Sequence, residues 1–138
     1  MRDKIEEKLE EWDKEFLKID ITDKSPENLR IFYGIKPSNI YFDDWNYLVF
    51  GQEHITKSGT NKQDLSTNIY IDIIRENYIS DETIFSLIQK IEELNGVKLS
   101  SGSHPIDYIL KGNTDVVCEL MRLTFTKPFK RGNLSGEN

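Results

Sequence analysis

Cysteine is almost missing from this chain: Cys118 is the single one among 138 residues. That excludes an intrachain disulfide and a thiol cluster for zinc or an iron–sulfur centre, and a reducing compartment is the natural setting. Positive charge is the minority sign, with 18 Lys and Arg against 24 Asp and Glu, a net charge of -6 and a pI near 5.0. Phosphate affinity accumulates from Lys and Arg, so duplex binding starts at a disadvantage. No apolar run approaches the length of a membrane span, and Met1 to Glu7 is charged where a secretory signal would be apolar. The expectation is synthesis in the cytoplasm and no membrane partner. What remains, 37% hydrophobic and 30% charged residues, is the chemistry of one domain with its own core, expected over residues 1–131 with a flexible tail at 132–138.

Catalytic constellations are lacking too. His54 and His104 stand in separate polar segments outside any HExxH-like spacing and read as surface or turn histidines. Asp43 and Asp44 are adjacent, and neighbouring residues on extended chain point to opposite faces, so a shared metal site needs distortion. Ser100-Ser101-Gly102-Ser103 lacks the downstream Gly-Lys-Ser/Thr of a phosphate loop and reads as a turn. Lys127, Lys130 and Arg131 beside Phe129 are too few charges for much phosphate affinity at physiological salt. The chain is expected to be no enzyme, with no catalytic residue, cofactor or metal.

The patterns that are present are structural. Ile5, Leu9, Trp12, Phe16 and Ile19 recur at steps of four and three, which predicts a helix with one committed stripe, docked on its own domain in preference to a neighbouring subunit. Residues 20–38 carry Ser25-Pro26, Gly34 and Lys36-Pro37 and read as an irregular connection with at most a helical turn around Asn28 to Tyr33. Trp45 to Phe50 and Asn68 to Ile74 read as strands joined by a long polar loop. Ser80-Asp81-Glu82 begins a helix with Ile84, Leu87, Ile88, Ile91 and Leu94 on its stripe, stopped by Asn95-Gly96. Val97 to Leu99 begins a strand that a turn interrupts, Ile106, Tyr108 and Leu110 alternate as the third strand, and Val116 to Lys127 is apolar at both parities, with a parity slip near Glu119 that suggests a bulge. The expected fold is α+β: a four-stranded antiparallel sheet with helices on one face, in the order α-β-β-α-β-β.

Three segments in this order resemble a family of small tail-component proteins of phages and prophages of Gram-positive bacteria: Trp45-Asn46-Tyr47-Leu48-Val49-Phe50-Gly51-Gln52-Glu53; Lys57-Ser58-Gly59-Thr60-Asn61-Lys62; and Asp107-Tyr108 with Lys111-Gly112-Asn113-Thr114-Asp115-Val116-Val117-Cys118-Glu119. The likeness covers roughly Asn39 to Arg131. It implies a tail terminator, a structural protein of the virion that forms a ring, typically a hexamer, on the end of the tail tube. Such a ring ends polymerisation and presents the joint to the head-tail connector. The implied partners are further copies of the chain, the tube protein, the connector, a sheath protein if the tail is contractile, and phage DNA that passes the lumen without specific binding. By this analogy Lys57, Gly59, Asn61 and Lys62 contact the tube or lumen. The uncovered sheet face, with Asp72, Glu119 and Arg122, or the helix bearing Trp12, supplies a subunit interface. A connector, a contractile-tail terminator and a small nucleic-acid-binding module remain alternatives.

Overall fold

The structure is a computed structural model that describes residues 2–17, 31–36, 45–57, 64–76 and 78–130. Its first element, α1 (Arg2–Trp12), buries Ile5, Leu9 and Trp12, and Asp13–Leu17 continues it as one wider π-helical turn. Three strands follow: β1 (Ile31–Tyr33), β2 (Tyr47–Lys57) and β3 (Asp64–Glu76). Then come α2 (Asp81–Glu92), β4 (Lys98–Leu99), β5 (Ile106–Leu110) and β6 (Val117–Lys130). The architecture is mixed α+β with one six-stranded sheet in the order β1-β2-β3-β6, where both β4 and β5 pair with β6.

Four strands were expected and six are present among the described residues. The pairings of β2 with β3, β3 with β6, and β6 with β4 and β5 are antiparallel. The added edge is β1, which runs parallel to β2 with Ile31 opposite Leu48 and Tyr33 opposite Phe50. It lies where the breaker-rich connection was expected to be irregular or helical. Ile31 and Phe32, β-branched and aromatic, bury on opposite faces, which a pleated strand permits and a single helical turn does not. Gly34, at φ +84, then turns the chain, and its N–H donates to Phe50 O at 2.8 Å. On the far edge β4 and β5 form one interrupted strand, because Lys98 pairs with Thr126 and Ile106 with Met121 on the same side of β6.

The main core lies between the helices and one sheet face. Leu48, Phe50, Ile69, Ile71, Ile73, Leu123 and Phe125 meet Ile5, Leu9 and Trp12 of α1 and Leu87 and Ile91 of α2. Burial of this apolar surface holds both helices to the sheet. Polar links add to it: Trp12 Nε1–H donates to Ser86 Oγ at 2.8 Å, and Lys8 Nζ pairs with Glu93 at 2.8 Å while Lys90 Nζ pairs with Glu15 at 3.0 Å. The expected bulge at Glu119 is not found, since β6 pairs with β3 without a break from Cys118 to Lys130. The parity slip has another cause. Met121, Leu123 and Phe125 bury under the helices, whereas Cys118 buries on the opposite face, so the strand changes its buried side, not its register. The irregularity sits in β2, between Gln52 and His54.

Ser80 caps α2 as its sequence indicates: its Oγ accepts the Thr83 N–H at 3.1 Å. Ser80→Ala is expected to lower stability by about 1 kcal/mol, measured by urea unfolding. A value indistinguishable from the parent would mean that the cap contributes nothing.

Candidate assembly surface

No helix among the described residues covers the second sheet face. Its apolar centre is Phe32, Val49 and Ile74, with Trp45, Tyr47, Tyr70 and Leu120 packed against them. Asp72 and Arg122 stand directly opposite each other on β3 and β6. The guanidinium is bidentate, with Nε to Oδ1 at 2.7 Å and Nη2 to Oδ2 at 2.9 Å. It also lies 4.1 Å over the Tyr70 ring and 3.5 Å from Glu53. Asp72 is only 9% exposed, so its charge needs that partner, and a bidentate pair at fixed positions opposes any slip of β3 against β6. The hydrogen bond from Arg122 to Asp72 holds the guanidinium above its ordinary value. At the lower end of the face, Glu76 accepts the Trp45 N–H at 2.7 Å and pairs with Lys111 at 2.8 Å. These contacts are cross-links of a sheet, with no nucleophile and base in reach of one another among them.

Titration of this face and of the helix pair gives a pH dependence with a definite sign. Burial pushes the Cys118 thiol and the Tyr47 phenol up. Hydrogen bonds to Glu93 and Glu15 raise the Lys8 and Lys90 ammonium groups. All four keep their protons in the folded chain to higher pH than in the unfolded one, so their contribution is complete below the ordinary thiol value of 9.0 and is lost as pH climbs through the raised values. Glu93, lowered from 4.5 chiefly by its hydrogen bond to Lys8, acts in the opposite window: its contribution is complete above the unfolded value and lost as pH falls. Urea midpoints are expected to be lower at pH 10 than at pH 7. Equal midpoints would contradict the burial of Cys118 and Tyr47.

Of the residues singled out in the sequence, Asp72 and Arg122 are brought together. Glu119 is separate from them: its Oε1 accepts the Ile79 N–H at 2.6 Å, which ties β6 to the chain just before α2. Trp12 is a correction. At 1% exposure it belongs to the domain's own core and offers no surface to a neighbour. Lys57 ends β2 opposite Leu65, and the polar loop is shorter than expected because the strands extend to Lys57 and Asp64. Gly59, Asn61 and Lys62 lie outside the described residues, as do Asp43, Asp44 and the tail 132–138. Lys130, at the end of the expected domain, pairs with Asp64. Among the described residues no group of three His, Cys, Asp or Glu is placed to hold a metal ion, and no helix is long and apolar enough to cross a membrane.

Two features escaped the sequence reading. Tyr108, Leu110 and Val117 are 66%, 56% and 46% exposed on the β5–β6 side of the sheet. At the other edge a cavity of about 210 Å³ opens between the start of α1 and β1–β2, lined by Arg2, Ile5, Tyr33, Phe50, Gln52 and Ile69. The alternation Ile106, Tyr108, Leu110 was legible as a strand face. That the helices stop short of Tyr108 and Leu110 was not, because it depends on where α2 crosses the sheet.

No family model matches the chain, and no curated protein matches it. One solved structure, of a protein whose name describes no function, is similar over 94% of this chain and 96% of that chain, at 12% identity and a TM-score of 0.36.

Proposed function

We propose that this chain is a tail terminator: a structural subunit that assembles as a ring on the end of a phage-type tail tube, stops its growth and provides the joint to the head. The observation that carries the reading is the ordered resemblance of three segments. Two of them include strands, Trp45 to Glu53 leading into β2 and Asp107 to Glu119 across β5, its turn and the start of β6. These segments supply the exposed Tyr108, Leu110 and Val117 and, with Trp45, Tyr47 and Val49, part of the sheet face that no helix among the described residues covers, and surfaces of that kind suit subunit contacts. The net charge of -6 also favours a lumen through which DNA slides without lasting phosphate contacts.

Electron microscopy of the purified protein mixed with polymerising tube protein tests the proposal. Capped tubes of uniform length are the expected result. Tubes whose length distribution is unchanged by the protein would end the terminator reading.

A further inference from the structure

The outer edge of β5 carries a residue pattern that is complementary to itself. We infer that two copies of the chain join there as a two-fold dimer, β5 antiparallel to β5 about Ile109, so that the two sheets run on as one. The inference goes beyond the terminator reading and does not depend on it.

An unpaired strand edge offers its N–H and C=O groups to any strand that arrives, and proteins commonly blunt such edges by brevity, charge, proline or a bulge. β1 is blunted, with three residues and then the Gly34 turn. β5 is not. Ile106-Asp107-Tyr108-Ile109-Leu110 holds one charge, no proline and an unbroken register with β6. Among the described residues β6 is its only partner strand, and Tyr108 and Leu110 stand exposed beside the free edge.

The hydrogen-bond phase says which backbone groups are on offer. Lys111 N–H donates to Val116 O at 2.9 Å, and Ser100 N–H donates to Thr124 O at 2.9 Å. Both acceptors are even-numbered, so the even residues along this stretch turn their backbone groups toward β4 and β5. Asp107 and Ile109, opposite Leu120 and Cys118, therefore direct theirs to β6, whereas Ile106, Tyr108 and Leu110 direct theirs to the free edge.

The side chains select the partner and the register. Asp107, exposed, lies on the second face with Leu120, and Lys111 lies on that face too, where it reaches Glu76 at 2.8 Å. Tyr108 and Leu110 lie on the helix side, opposite Glu119 and Val117. A two-fold axis perpendicular to the sheet makes the two strands antiparallel and keeps each face on its own side. Outward residues must meet outward residues, so the axis passes through a residue. Centring on Ile109 sets Asp107 of each copy opposite Lys111 of the other and gives two hydrogen-bonded pairs of Tyr108 with Leu110. Centring on Tyr108 sets Asp107 against Ile109, and centring on Leu110 sets Lys111 against Ile109, both poorer cross-strand pairs. In the dimer Lys111 trades Glu76 for Asp107, and Glu76 keeps the Trp45 N–H. Charges of this kind select a register more than they add affinity; the ladder and the covered Tyr108 and Leu110 side chains supply the rest. A two-fold contact uses the same edge of both copies and closes at two, which leaves the β1 edge to any further assembly.

Sedimentation of the full chain, with the folding of each variant checked by circular dichroism, tests the contact. The parent is expected to pair as concentration rises. Tyr108→Pro removes a donor that faces only the free edge, so the chain's own ladder stays whole. It should need roughly tenfold more protein or greater to pair, because the two-fold axis doubles the loss to two hydrogen bonds. Asp107→Lys, which sets like charges across the ladder, should also weaken pairing. Oxidation reads the register: Ile109→Cys should form an intermolecular disulfide, since the Cα atoms of that pair lie about 4.5 Å apart. Asp107→Cys should not, being about 13 Å along the strands from its counterpart. A parent that stays monomeric at the highest concentration, a folded Tyr108→Pro or Asp107→Lys chain that pairs like the parent, or cross-linking through Asp107→Cys in place of Ile109→Cys would overturn the inference. The tube experiment is scored separately: tubes of unchanged length remove the terminator function and leave the dimer, and capped tubes with an unpaired parent do the reverse.

Discussion

Replacing Trp12 with alanine is expected to lower the unfolding free energy by about 3–5 kcal/mol, the usual loss for deleting a fully buried aromatic ring. Trp12 is 1% exposed and belongs to the same buried cluster as Ile5, Leu9, Leu87 and Ile91, so truncation leaves a void between the two helices. It also removes the donor to Ser86 Oγ. Trp12→Phe separates the two effects: most of the apolar volume stays, and the lost hydrogen bond accounts for about 0.5–1.5 kcal/mol. Urea unfolding of the three proteins at pH 7 gives both values. An alanine variant within about 1 kcal/mol of the parent would mean that α1 is not held as described. A change in self-association with stability intact would return Trp12 to the subunit interface.

Gly51→Ala is the second large effect, expected to cost about 1–3 kcal/mol as an overpacked contact. A Cβ built on Gly51 would stand 2.8 Å from Tyr70 Oη and 3.0 Å from Cε1 and Cζ of that ring. The ring is not free to swing aside. Its hydroxyl donates to Gly34 O at 3.1 Å, and Arg122 lies over its face. Moving Tyr70 therefore loosens the link between β1 and β3 and disturbs the Asp72–Arg122 pair at once. Shortening the obstacle tests this account: the double variant Gly51→Ala, Tyr70→Leu should be more stable than the sum of its single losses by about 0.5–3 kcal/mol. Strict additivity would show that the alanine acts elsewhere.

Much of the local structure was legible because local rules govern it. The stripe of α1 and the Ser80 cap of α2 depend on residues within a turn or two of each other, whereas α2 ends at Glu92 with Glu93 as its C-cap, ahead of the expected stop at Asn95-Gly96. The strand character of Trp45 to Phe50, Asn68 to Ile74 and Ile106 to Leu110 likewise follows from branched and aromatic residues at short range. β1 was missed because three residues carry no period, and a parallel strand of that length exists only through the backbone of β2. The slip at Glu119 was misread because a change of buried side and a bulge leave the same trace in a sequence, and only the pairing register separates them.

The candidate surface divides the same way. Asp72 and Arg122 were each visible as charges on apolar strands, but that they face each other is a property of the β3–β6 register. Tyr108 and Leu110 were legible as one parity of a strand, with nothing in the alternation to say whether that parity is covered. The α+β composition of the elements and the acidic balance can be read along the chain, because these are sums or short-range patterns. Which apolar residues stay uncovered and which edges lie opposite emerge with the packing, because coverage depends on where the helices cross the sheet.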